Sequence, residues 1–195
     1  NSDSFPAFGH ATARNNFELD LSVGYDQIVR HYASNLVRNL RKSEDAALQV
    51  SPHPDINMII SIFRANRGAT LPRWNDQTYQ RLRRLYHSLE HRGQARAWGI
   101  YNATNELVAG AVFFFDLKHA IMIFSGITPD GRETGAMPRL IDHVIKEFAS
   151  TPLILDFEGS MDPGLARFYG SFGAEIRQYW FWKMNRLPIP FKWMR

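Results

Sequence analysis

Residues 153–174 read LILDFEGSMDPGLARFYGSFGA, and they place a buried-strand signal, a polar break and a helix start in direct succession. The run Pro152–Phe157 is short and apolar enough for an interior strand, and Glu158-Gly159-Ser160 interrupts it where such a strand ends. Asp162 then stands at an N-cap position and Pro163 at the first helical position. Leu165, Phe168, Tyr169 and Phe172 supply one apolar face, and Gly173 stops the helix. A strand that runs into a helix N-terminus makes a crevice with exposed backbone amides and carbonyls, bordered here by Glu158, Ser160 and Tyr169.

Working outward, the preceding helix is strongly amphipathic, with Met137, Leu140, Ile141, Val144, Ile145 and Phe148 in register and Pro138 in its first turn. It is fed by Thr128-Pro-Asp-Gly131-Arg132-Glu-Thr-Gly135-Ala136, which reads as a glycine-rich loop. Glycine beside helix-start amides suits a phosphate, because the backbone can approach closely with its N–H groups outward; an ordinary loop before a helix is the plainer reading. Upstream lie three apolar runs, 95–101, 107–115 and 120–127, joined by four-residue or five-residue polar connections too short for anything but antiparallel neighbours. The middle run is apolar throughout, so it should be central and covered on both faces.

Further upstream, Asn75 or Asp76 starts a helix to about Glu90, and Asp55–Asn66 forms another with Ile56, Ile59, Ile60 and Phe63 inward. Leu48–Val50 reads as a short strand. Apolar residues from Tyr25 to Leu40 recur at helical spacing, with a division into two helices at Ser34-Asn35. Phe17–Leu21 alternates as a strand. Downstream, Glu175–Met184 is a strand dense in aromatics, expected in the sheet core, with stacking on bases as the alternative. The resulting expectation is an α/β (α+β) fold, a mixed, mostly antiparallel sheet flanked by helices, with an N-terminal helical segment. Residues 1–16 are expected as a flexible arm, 17–184 as one domain and 185–195 as an extended surface tail.

The chain of 195 residues is long enough for one well-buried core and has no cysteine, which excludes disulfides and thiol catalysis and fits a reducing, cytoplasmic setting. No apolar run reaches the roughly 20 residues of a membrane helix. The net charge of +4 is mild. Arg30, Arg38, Arg41 and Lys42 share one face of the N-terminal helices, either as a solvated face or as a stripe for phosphates or RNA. His87-Ser-Leu-Glu90-His91 matches a zinc-peptidase spacing, but both histidines point away from the apolar face of their helix, so no metal site is expected. Ser160 has no assigned base and reads as a loop hydrogen-bonding residue rather than a nucleophile.

From about Ala95 to Met184 the chain resembles the GNAT superfamily of N-acetyltransferases. Arg132-Glu-Thr-Gly135-Ala136-Met137 is similar to its pyrophosphate motif Q/R-x-x-G-x-G/A, with Met137 at a position where a small residue is usual. Asp162, Leu165, Tyr169, Gly173 and Ala174 correspond to its helix motif N-x-x-A-x-x-x-Y-x-x-x-G-F, agreeing at the tyrosine and glycine. Phe17–Leu21, Tyr25 and Asn35–Lys42, with Asp156–Ser160, resemble the branch related to the FemABX enzymes. Members of that branch often carry two such domains, so a chain beginning at Asn1 rather than Met fits a C-terminal half. The resemblance implies direct acyl transfer from acetyl-CoA or another acyl-CoA to a small-molecule or peptide amine. The donor would lie between the strands ending near Ile127 and Phe157, its pyrophosphate on Arg132, Gly135, Ala136 and Met137. Tyr169 becomes the candidate acid and Glu158 the candidate base. The alternatives are an aminoacyl-tRNA-dependent ligase acting on peptidoglycan precursors and a noncatalytic domain that has kept the fold.

Overall fold

The computed structural model describes residues 10–71, 74–159 and 161–183. Residues 1–9, Pro72, Arg73, Ser160, Met184 and the tail from Asn185 lie outside the described residues. The chain runs β1 (His10–Asp20), α1 (Tyr25–Val29), α2 (Ser34–Asp45), β2 (Gln49–Pro52), α3 (Ile56–Ala65), a 3-10 turn at Arg67–Thr70 and α4 (Asp76–Glu90). It continues through β3 (Ala95–Tyr101), β4 (Leu107–Phe115), β5 (His119–Ile127), α5 (Pro129–Thr134), α6 (Ala136–Phe148), β6 (Ile154–Gly159), α7 (Pro163–Gly170) and β7 (Glu175–Lys183).

Helix starts follow local side-chain chemistry. Asp55 accepts from the Asn57 amide, Asn75 from the Thr78 amide, and Asp162 from the Gly164 and Leu165 amides, each satisfying a donor that the first helical turn leaves open. The break between α1 and α2 falls at residues 30–33, just ahead of the expected Ser34-Asn35.

The seven strands form one sheet in the order β2-β3-β4-β5-β6-β1-β7. The β3-β4-β5 meander is antiparallel, and every residue of β4 from Leu107 to Phe113 is buried. One face of the sheet packs α2, α6 and α7 over a core containing Leu140, Ile141, Val144, Ile145 and Phe172, all 0% exposed. The other face packs α3 and α4 around Ile59, Phe63, Tyr79 and Phe124. Burial of such side chains contributes about 1.5–3 kcal/mol each. Within the first core, the carboxylate of buried Asp142 on α6 accepts hydrogen bonds from Tyr25 at 2.8 Å and Tyr32 at 2.9 Å, tying α1 and the segment after it to α6. None of the described helices is long and apolar enough to cross a membrane.

Two expectations are corrected here. Residues 10–16, read as part of a loose arm, belong to β1 and pair with β7 from His10↔Lys183 to Asn16↔Arg177. Lengthened in this way, β1 lies between β6 and β7, and β7 becomes an edge strand rather than core. Its Ile176 is 57% exposed and Trp180 58%. The aromatic density of β7 could not reveal this, because an edge and a central strand share the same local pattern and differ only in their neighbours.

Candidate active site

β5 and β6 are parallel, and a parallel neighbour requires a long crossover, supplied here by α5 and α6. The two strands stay in register for only three pairs, His119↔Ile154, Ala120↔Leu155 and Ile121↔Asp156. Past these they diverge. β5 carries an extra residue, Ile123, opposite Val112 and Phe113 of β4, and β6 bulges where Phe157 and Glu158 oppose the single residue Phe17 of β1. Bulges of this kind bend strands and re-aim side chains. The divergence opens a cleft of about 620 Å³, lined along β5 by Met122–Ile127 and across from it by Phe157, Glu158 and Tyr169. It also reaches both faces of the sheet, with Arg132 from α5 on one side and Phe63, Arg67 and Trp74 from the α3 side on the other.

Glu158 sits at the bulge with φ of 62°, a left-handed conformation uncommon for a side-chain-bearing residue. Its own amide donates to Asp156 Oδ1 at 2.7 Å, which holds the turn. Partial burial of the carboxyl, reinforced by the neighbouring Asp156 charge, raises the Glu158 pKa above the usual carboxylate value. The residue as a whole remains exposed, so solvent still reaches the group. Tyr169 on α7 is 7% exposed, with its ring stacked on Phe157 at 4.7 Å between centroids and tilted against Phe17 at 5.8 Å. Its hydroxyl makes no hydrogen bond among the described residues. Burial pushes the Tyr169 pKa up to about 12, partly opposed by the positive charge of Arg67 and aided by Asp162 and Glu158. The pair therefore offers a proton acceptor of raised basicity and a donor that stays protonated at neutral pH.

The segment 128–137 differs from the expected open loop. Thr128 caps α5 by accepting from the Gly131 amide, and α5 spans Pro129–Thr134 before Gly135 turns the chain into α6. The Arg132 amide donates to Thr128 O and the Gly135 amide to Gly131 O, so both are engaged within the segment. Gly135 has φ of 77°, and a side chain there would bring its Cβ to 2.5 Å from the Asn39 carbonyl oxygen of α2. Close packing against α2 is thus sufficient reason for glycine at this position. Ala136 is fully buried and Met137 9% exposed. Of the residues singled out from sequence, Ile127, Arg132, Glu158 and Tyr169 line the cleft; Gly135, Ala136 and Met137 are not among its lining residues.

Arg67, Phe63 and Trp74 were missed as site residues. Phe63 carried a helix-core signal, and the other two follow α3 with no motif, so only the fold brings them to the cleft. Arg67 lies 3.9 Å from Asp162 Oδ2. A larger hollow, about 830 Å³, lies between the start of β6 and the β1–β7 pair and contains none of the candidate catalytic or donor-binding residues. It is lined by interleaved acids and bases, among them Glu18, Asp20, Arg30 and Arg177, and Arg177 is already paired with Glu175 at 3.1 Å. The chemistry-bearing pair lies in the smaller cleft. His87 on α4 and His91, the residue that caps its C-terminus, are exposed, with His87 Nδ1 3.3 Å from Glu90. Arg30, Arg38, Arg41 and Lys42 are exposed.

The family model described as "Acetyltransferase (GNAT) domain" matches residues 23–160. The chain belongs to this family. No curated protein sequence matches it. Among solved structures, the GNAT chain is similar to FemX, with 11% identity and a TM-score of 0.65 over 86% of this chain and 61% of that one. It is similar as well to a conserved protein of unknown function from Bacteroides thetaiotaomicron VPI-5482, at 9% identity and TM-score 0.65 over 93% of this chain and 64% of the other. A third is L-PGS from Bacillus licheniformis, at 11% identity and TM-score 0.57, covering 94% and 64%. At these identities the likeness is one of fold. The GNAT chain spans less than two thirds of each of these three chains.

Proposed function

We propose that the cleft between β5 and β6 catalyses direct transfer of an acyl group from an acyl-CoA to a primary amine. The observation that carries this reading is the placement of Glu158 and Tyr169 at one cleft between diverging parallel strands, in a chain of the GNAT acetyltransferase family. Arg132, the charged residue of the 128–137 segment that lines the cleft, supplies the main attraction for the donor's phosphates. The buried turn at Gly135–Met137 contributes shape more than amide donors. Glu158 accepts the proton of the entering ammonium. The freed nitrogen attacks the thioester carbon and releases its remaining surplus proton to water, and the C–S bond breaks as Tyr169 donates its proton to the departing thiolate. Glu158 then returns a proton to the tyrosinate, directly or through water. A cytoplasmic setting belongs to the same proposal.

A second donor, an aminoacyl-tRNA, is favoured by two observations. The Asn39 carbonyl stands against Gly135 where a pyrophosphate would come closest, and the exposed basic residues Arg38, Arg41 and Lys42 lie on that same helix, α2. Calorimetric titration separates the donors. Acetyl-CoA binding that Arg132→Ala weakens by about tenfold or more supports the first. Binding of aminoacyl-tRNA with no affinity for any acyl-CoA would sink it.

A further inference from the structure

We propose that the acceptor is an amino-acid-like zwitterion with an aromatic or bulky apolar side group, its carboxylate on Arg67, its amine at Glu158 and its apolar part on Trp74. This rests on the acyl-transfer reading of the cleft and names the substrate that reading leaves open. The cleft passes through the sheet. Arg132, the proposed donor anchor, enters from the face covered by α6, whereas Phe63, Arg67 and Trp74 enter from the face covered by α3. Two substrates that must meet at one point therefore have separate entrances, and the acceptor takes the second.

The chemistry of that entrance is specific. Trp74, half-buried, packs against Phe63 at 5.1 Å and nearly parallel to Phe124 at 5.8 Å. With Leu71 they form an apolar shelf open to the cleft, suited to a flat or branched hydrocarbon group. Arg67 adjoins this shelf. Asp162 Oδ2 lies 3.9 Å from its guanidinium, while Asp162 Oδ1 is engaged with the Gly164 and Leu165 amides at the start of α7. Such a contact is longer than a good hydrogen bond, so the guanidinium can take a bidentate carboxylate without dismantling the cap. Glu158 lines the same cleft and presents the complementary charge to an ammonium. The charged lining of the cleft is balanced, Arg67 and Arg132 against Glu158 and Asp162, and a zwitterion held by Arg67 and Glu158 brings fewer like charges together than a diamine or a diacid would.

The test uses phenylalanine and phenethylamine, which share ring and amine and differ in the carboxylate. Binding is measured by calorimetry without any donor, on the wild-type protein, Arg67→Ala and Arg67→Lys. Phenylalanine is expected to bind about tenfold or more tightly than phenethylamine. Arg67→Ala should erase that preference, and Arg67→Lys should keep part of it. Equal binding of the two probes by the wild-type protein, binding of neither, or an unchanged preference in Arg67→Ala would overturn the proposal. The wild-type comparison stands whether or not the variants fold. Acyl transfer is assayed separately, by thiol release from acetyl-CoA. Selective phenylalanine binding without thiol release would support the amino-acid site and count against the acyl-transfer reading.

Discussion

Replacing Tyr169 with phenylalanine should separate chemistry from stability. The ring stays in place, with its stacking on Phe157 at 4.7 Å and its contacts to Phe17 at 5.8 Å and Phe168 at 5.7 Å. Only the hydroxyl is lost, and it has no hydrogen-bond partner among the described residues, so no buried group is orphaned. Urea unfolding should therefore move by less than about 0.5 kcal/mol. Tyr169→Ala, by contrast, empties a site that is 7% exposed and should cost about 3–5 kcal/mol. If the hydroxyl protonates the leaving thiolate, Tyr169→Phe lowers kcat by about 100-fold to 10,000-fold, or roughly 3–5 kcal/mol at the barrier, with little change in the KM for the donor. Both quantities come from one preparation, by equilibrium unfolding and by thiol release. Since the Tyr169 pKa is raised to about 12, no tyrosine limb should appear in the wild-type pH–rate profile below about pH 10. Full turnover in Tyr169→Phe would refute the assignment. A loss of more than about 2 kcal/mol in stability would refute the claim that the hydroxyl has no structural partner.

Glu158→Gln should abolish the acidic limb of the rate profile, whose midpoint in the wild type lies above the ordinary glutamate value. Its stability effect has the opposite sign: a carboxyl whose folded pKa is raised favours folding below its unfolded pKa, and this contribution is lost as pH rises through the folded value. At neutral pH the variant should thus be at least as stable as wild type, measured by denaturant midpoint. Asp142→Ala removes the acceptor shared by Tyr25 and Tyr32 and should cost about 2–4 kcal/mol. Asp142→Asn, which keeps an oxygen, should cost less. Burial raises the pKa of Tyr25, Tyr32 and Tyr169, so alkaline unfolding should begin near pH 10, where unfolded tyrosines ionise and the folded ones cannot follow. The slope is up to about 1.4 kcal/mol per pH unit for each of Tyr32 and Tyr169, the more deeply buried two. A stability curve flat to pH 11 would contradict the burial assigned to them.

Much of the architecture was legible residue by residue because its causes are local. Asp55, Asn75 and Asp162 cap helices through amides only two or three residues ahead, and the meander follows from polar connections too short for any other pairing. The order of strand, polar break and helix in 153–174 was likewise set by neighbours in the chain, and it placed Glu158 and Tyr169 close in sequence to one crevice. Those features need only backbone geometry and short-range hydrogen bonds, which sequence encodes directly.

Contacts between distant residues decided the rest. The place of β1 beside β6 depends on pairs such as Leu19↔Leu155, and this pushes the aromatic β7 to the edge although its composition suited a core strand. Gly135 carried a phosphate-loop signal, yet its neighbour is the Asn39 carbonyl of another helix. The left-handed turn at Glu158 appears only where β6 bulges against Phe17, and Arg67 enters the cleft only because α3 packs on the opposite face of the sheet. Sequence by itself determined which segments could be helix or strand and which side chains could carry acyl-transfer chemistry. Tertiary structure alone decided which of them share the cleft, because the divergence of β5 from β6 is a balance of packing on two faces that no local pattern records.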